Sequence, residues 1–378
     1  MNKAGIYIHV PFCKIKCMYC DFYSITKRNN DMPIFIDMLI KEIINKAKTF
    51  NHDWIFNTIF FGGGTPSLLK PHWIERILDT LNACFNLSRE IEITLETNPG
   101  EVNLDNLISF KKSGINRISL GCQSLHPELL AFLSRIHTAE DSLNTFKNAR
   151  KAGFKNINID LIFNIPGQTI KQWKNDLKQI VMLEPDHVSA YSLTVEPNTI
   201  LYNQILKGNI SMPSESIDLE MFEYTQHYLN KNKYKQYEIS NYAIQGKECK
   251  HNLHYWNLDP YLAFGPSAHG YDGKTRWWNV SSLDIYMEKM INDKSPISGR
   301  EKLKNNEHFN EIIFNGIRTN TGIQLNKINS LSMNSNNLNM SIKKWANELD
   351  VTNKFIILKK EAYKFADEIA SDMMANSN

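Results

Sequence analysis

Cys13, Cys17 and Cys20 stand in the run CKIKCMYC with spacing C-x3-C-x2-C, so a single loop can bring three thiolates to one centre. Three ligands leave one coordination position open. Neither Asp21 nor Phe22 supplies the fourth Cys or His that usually closes a structural zinc site within a few residues. Spacing alone therefore leaves two readings, an iron-sulfur cluster with an open iron and a zinc ion completed by a distant His. Cys84, Cys122 and Cys249 lie far from this loop and from each other, a metal pattern and not a disulfide framework.

Further along the chain, polar or glycine-rich segments recur: GGGTP at 62–66, ETNPG at 96–100, CQS at 122–124 and NIPGQT at 164–169. The consecutive glycines, Gly63 and Gly64 among them, let backbone approach a ligand where a side chain would block it, and Thr65 follows them. Alone, such a triplet is equally a tight strand-to-helix turn. Glu96 offers a carboxylate to a cationic or polyhydroxyl ligand, while Gln123, Arg135 and Asp160 follow on later segments. Tyr7 shares a strand face with His9, opposite Ile6, Ile8 and Val10. Taken one at a time, these polar residues read as surface or helix-cap positions.

Such scattered groups can act together only on a scaffold that gathers separate loops. Short β-rich runs alternate with helix-period segments, predicting strands near 5–10, 57–61, 90–96, 117–121, 157–163 and 187–193. Every motif above follows one of these strands. That is the rim where βα barrels carry chemistry, so the fold class expected is α/β, a partial (βα)6 TIM-like barrel. The barrel is assigned to 1–240, an aromatic and histidine-rich segment packed on it to 241–281, and a small helix-rich C-terminal domain to 282–378, interrupted by an Asn/Ser-rich loop at 326–339.

Composition narrows the function. The 378 residues are 42% hydrophobic with a formal net charge of +3, and the lysines are scattered, so no nucleic-acid stripe is indicated. No secretory signal or membrane-length apolar run is visible, which points to the cytoplasm and to no membrane span.

The cysteine loop after the first strand, joined to GGGTP and the later motifs, resembles the radical S-adenosylmethionine superfamily. In that family three cysteines hold three irons of a 4Fe-4S cluster, and the amino and carboxylate groups of S-adenosylmethionine chelate the fourth. The resemblance implies Cys13, Cys17 and Cys20 as cluster ligands and an electron donor for the cluster. It also implies Tyr7, Gly63, Gly64, Thr65, Glu96, Gln123, Arg135 and Asp160 as the cofactor-binding set of the porphyrin-related branch. Cys122 and Ser134 stand where that branch has Val and Gly, and Asn164 replaces a Gly before Ile-Pro-Gly.

Over nearly the whole chain the sequence is similar to heme chaperones of the HemW type. A short lead before the first strand, Phe22 in place of the second Cys of a C-x-C pair, and HNLHYW at 251–256 separate it from the related dehydrogenases. The last segment matches the HNxxYW run associated with heme in those chaperones. This implies heme as cargo, an acceptor protein that receives it, and His251 as the leading iron ligand. His254 is a local alternative, and Cys249 could offer a thiolate or covalent attachment. From residue chemistry alone, an aromatic layer with a purely structural role is the other reading. The alternative activity is oxygen-independent coproporphyrinogen III dehydrogenation, a radical oxidative decarboxylation, and peripheral membrane contact is left open.

Overall fold

Alternating burial builds the first strand: Ala4, Ile6, Ile8 and Val10 are buried on its outer face, while Gly5, Tyr7 and His9 face inward. The same logic repeats along the chain in the computed structural model, which describes residues 2–50, 53–331 and 336–375. Strands β1 (Asn2–Val10), β2 (Trp54–Gly63), β3 (Leu87–Thr97), β4 (Arg117–Gln123), β5 (Ile157–Phe163) and β6 (His187–Ser192) pair parallel in chain order. All six expected strands are present, most of them longer than expected.

The crossovers carry α1 (Met32–Thr49), α2 (Pro71–Cys84), α3 (Leu104–Lys112), α4 (Ala139–Lys151) and α5 (Ile170–Met182). Local chemistry sets their ends. Pro71 opens α2, where its missing N–H costs nothing. Thr138 and Thr169 cap α4 and α5 through reciprocal bonds with Asp141 and Gln172. Gly114 and Gly153 follow α3 and α4 with φ of +110° and +89°.

The sheet does not close. Beyond β6 it continues antiparallel into β7 (Asn241–Ala243), and on the other side of β1 lies β8 (Tyr261–Phe264), parallel to it. Then β9 (His269–Tyr271), β10 (Thr275–Asn279) and β11 (Ile297–Lys302) extend that end antiparallel, and with the two-residue strand Lys235–Gln236 beside β7 the sheet has twelve strands. The partial barrel is therefore as expected, with an open seam between its two ends. Residues 241–281, expected as a segment packed on the barrel, supply strands at both sheet ends. Those strands are only three to five residues long, too short for a periodic signal.

Between these strands, α6 (Glu215–Lys231) packs on α5, α7 (Lys250–Trp256) meets β1 and β2, and α8 (Leu283–Ile291) packs on α1. A second hydrophobic core starts at Phe309 in α9 (Asn305–Ile317) and includes Ile323, Ile356 and Ile369. Residues 282–302 thus stay with the main sheet. The second core is helix-rich as expected, and it also holds a three-stranded antiparallel sheet. In the expected loop at 326–339, residues 325–329 and 336–344 are helical, and 332–335 lie outside the described residues.

One buried carboxylate fastens the late strands to the barrel. Glu42 of α1 accepts hydrogen bonds from Gly265 N (2.8 Å), Asn279 Nδ2 (2.7 Å) and Tyr286 Oη (2.6 Å). Burial outweighs these bonds and pushes its carboxyl up to about 7. The folded protein then holds a proton that the unfolded chain releases at ordinary carboxylate pH. Its contribution is complete below that ordinary value and is lost as pH rises through about 7. Urea unfolding should show Glu42→Ala destabilised by about 3 kcal/mol, since three donors lose their acceptor. Between pH 5 and 8 the wild-type stability should fall more steeply than that of Glu42→Gln.

Candidate functional site

The chain leaves β1 through Pro11 and Phe12 and enters the cysteine loop. Two backbone hydrogen bonds pin this exit to the glycine motif at the end of β2: Gly64 N to Val10 O (2.8 Å) and Thr65 N to Phe12 O (2.7 Å). A Cβ on Gly64 would lie 2.7 Å from Phe12 O, and one on Gly63, at φ +105°, 2.5 Å from the His9 ring. The glycines thus serve chain-to-chain approach as well as lining the cavity beside them.

That cavity, of about 700 Å³, sits at the C-terminal ends of the strands. It brings together Cys13, Cys17 and Cys20 with all eight residues of the expected cofactor set: Tyr7, Gly63, Gly64, Thr65, Glu96, Gln123, Arg135 and Asp160. Cys13 Sγ accepts from Thr65 Oγ1 and Cys17 Sγ from Arg135 Nη1, both at 3.5 Å. Burial pushes the Cys13 thiol up and the Cys20 thiol up to about 11. Among the described residues, no three His, Cys, Asp or Glu side chains converge on a point as a single ion requires. A 4Fe-4S cluster makes a different demand, one thiolate per iron, and its charge deprotonates thiols that burial alone keeps neutral. Three thiols on one loop, partly exposed beside a large cavity, fit that demand.

The polar residues of the wall form separate hydrogen-bonded groups. Asn98 Nδ2 donates to Thr65 Oγ1 (2.9 Å) and Asn98 Oδ1 accepts from Arg135 Nη2 (2.6 Å), which also donates to Gly121 O (2.7 Å). Asp160 accepts from Ser119 Oγ (3.1 Å) and Asn158 Nδ2 (2.8 Å). Burial, and then the neighbouring Asp160, push Glu96 up to about 8. His9 Nε2 donates to Tyr23 O (2.9 Å), which leaves Nδ1 as acceptor for the Tyr7 hydroxyl at 3.2 Å. Asn98, Arg117, Ser119 and Asn158 were not singled out from sequence; Asn98 lay inside a recognised motif, whereas the others lie within strands and gave no local signal.

The departures from the family pattern have physical explanations. Ser134 and Asn164 adopt φ of +58° and +61°, the left-handed region that favours glycine. Asn tolerates it well, Ser less so. Cys122 is buried in the core, as a small hydrophobe would be.

The histidine-rich segment forms α7, and His251, His254 and Cys249 do not line the cavity. His251 is 1% exposed, with Nδ1 at 2.8 Å from Thr58 Oγ1 and Nε2 at 2.9 Å from Tyr255 Oη; burial holds its ring neutral. His254 lies 2.9 Å from Asp259 Oδ2 and 2.7 Å from Asn57 Oδ1. Cys249 contacts Glu92 at 3.7 Å, and burial pushes its thiol up to about 12. The faces of α7 that reach cavities carry Asn252, Tyr255 and Trp256 instead.

Comparison with known proteins agrees with this geometry. Residues 7–180 match the model of the Radical SAM superfamily. Heme chaperone HemW of Bacillus subtilis is 36% identical over 84% of this chain and 84% of its own length. The mitochondrial radical S-adenosyl methionine domain-containing protein 1 of Danio rerio is 32% identical over 85% of this chain and 74% of its own. The structure of coproporphyrinogen III oxidase (HemN) from Escherichia coli superposes with a TM-score of 0.85 at 23% identity, over 99% of this chain and 90% of that one, and so shares the fold. With its cysteine loop, strand-end motifs and near full-length likeness in agreement, the chain belongs to the radical SAM superfamily and, within it, to the family of the heme chaperone HemW.

Proposed function

We propose that this protein binds heme and delivers it to an acceptor protein, carrying a 4Fe-4S cluster on Cys13, Cys17 and Cys20 with S-adenosylmethionine at the iron they leave open. One observation carries the reading: a chain 36% identical to a heme chaperone over most of both lengths places three thiols and a polar cradle around one cavity. When bound, the cluster and S-adenosylmethionine supply one-electron chemistry. The protein's own residues do the rest. Arg135, held by Asn98 and Gly121, offers a fixed cation beside the Cys17 sulfur and pairs with the cofactor's carboxylate. Glu96 and Asp160 face its cationic and hydroxyl groups, Thr65 steadies Cys13, and Tyr7 and Gln123 complete the wall. Phe22, 67% exposed at the cavity, offers apolar surface where the electron donor or acceptor protein docks.

His251, His254 and Cys249 enter this reading as heme ligands that α7 must first release from their present partners. No helix among the described residues is long and apolar enough to cross a membrane, and we place the protein in the cytoplasm. The alternative, oxidative decarboxylation of coproporphyrinogen III, rests on shared fold with HemN at 23% identity.

Calorimetry on anaerobic, cluster-loaded protein should find S-adenosylmethionine binding tighter at pH 9 than at pH 7. A cationic ligand favours ionised Glu96, so the part due to this group, with a carboxyl at about 8, amounts to about tenfold and disappears in Glu96→Gln. Hemin titration should give a stoichiometric Soret shift; its absence sinks the carrier reading. Replacing His251, His254 and Cys249 together should alter the spectrum of bound hemin, and an unchanged spectrum removes them as ligands. In an anaerobic assay with reductant and coproporphyrinogen III, no protoporphyrinogen should form; its formation would establish the alternative.

A further inference from the structure

The open seam of the barrel holds a second cavity, of about 460 Å³, within the size range of small-molecule sites. Its walls come from opposite ends of the sheet. Tyr261, Tyr271 and Arg276 stand on the β8–β10 side and Tyr191 and residues 238–241 on the other, with Asn252, Tyr255 and Trp256 of α7 between them. Tyr191, Asn252 and Tyr255 also line the cysteine cavity, so the two compartments adjoin.

Two independent features mark this as more than a packing gap. The first is aromatic surface: Tyr255 and Tyr261 meet edge to face at 4.6 Å, Tyr261 continues to Tyr271 at 6.2 Å, and Trp256 stands beside them. The second is polar. Tyr271 Oη is buried without a hydrogen-bond partner, although such an atom is normally paired. Beside it the Arg276 guanidinium lies 5.6 Å over the Tyr271 ring and pairs with Glu311 at 2.6 Å, which leaves most of its N–H groups for another acceptor. A conjugated face together with a hydroxyl and a guanidinium at one end suits a flat macrocycle carrying carboxylates.

We infer that the seam cavity seats the heme, with the macrocycle against Trp256 and Tyr261 and a propionate at Tyr271 and Arg276. This rests on the heme-carrier reading. It is separate from the question of the iron ligand, because recognition through the ring face and a carboxylate extends to a porphyrin without iron.

The test titrates hemin and metal-free protoporphyrin IX into the cluster-loaded full chain, following tryptophan fluorescence and porphyrin absorbance. Both should bind the wild type with one-to-one stoichiometry and quench fluorescence, less so in Trp256→Phe. Arg276→Gln and Tyr271→Phe should each weaken both porphyrins about tenfold, the loss of one charge-assisted or buried hydrogen bond. Ser240→Trp, which fills the seam, should abolish binding of both. S-adenosylmethionine affinity and thermal unfolding report on the fold, and Tyr271→Phe removes a hydroxyl that has no partner in the protein, so it should leave both unchanged. Wild-type affinity in Arg276→Gln, Tyr271→Phe and Ser240→Trp alike, or binding of hemin without protoporphyrin, overturns the seam assignment and leaves the carrier reading standing. No binding of either porphyrin to the wild type defeats the carrier reading itself.

Discussion

The site depends on two backbone hydrogen bonds, from Gly64 to Val10 and from Thr65 to Phe12. They tie the exit of the first strand to the exit of the second, and thereby set where the cysteine loop begins. Parallel pairing makes this economical. Because β1 and β2 run in register from Gly5 opposite Thr58 to Val10 opposite Gly63, both leave the sheet at the same height. A side chain at position 64 would collide with carbonyl oxygens of the loop, so the glycine there is required by the joint itself. Thr65 then reaches Cys13, and Asn98, one strand further, reaches Thr65. The network passes on to Arg135 and back to Cys17, so the cysteine loop is held at its first and middle cysteines by the rim it decorates.

Around this joint the electrostatics are unbalanced in a way that favours ligands. Glu96 and Asp160 lie near one another on the cavity wall, and desolvation drives both carboxyls upward. Arg117 is buried on the same wall with Nε unpaired. Buried charges without close partners are costly, so a ligand that brings complementary charge gains from groups already desolvated. A resting protein that keeps Glu96 largely neutral avoids part of that cost, at the expense of a pH-dependent site.

The helix α7 separates two neighbourhoods by its periodicity. Asn252, Tyr255 and Trp256 fall at i, i+3 and i+4 and face cavities, whereas His251 and His254 turn to the strands and are engaged there. A motif read as a string of ligands is thus divided by its own helix into an aromatic wall and a buried polar support.

Much of this was legible in the sequence, because the relevant signals are local. Three closely spaced cysteines, glycines that only close approach requires, and strand-length apolar runs each determined a loop, a joint or an element, and all eleven predicted cluster and cofactor residues line one cavity. Legibility ended where contacts are long-range. The three- to five-residue strands after residue 240 carry too few positions to show a period, and they acquire their identity only by pairing with β1, with β6 or with one another. Likewise nothing in HNLHYW says which side of α7 meets a cavity; that was decided by the strands that pack against it. Sequence determined the chemistry available at each strand end. Tertiary structure decided which groups remain free to use it, because burial and hydrogen bonding by distant residues set a side chain's freedom and protonation.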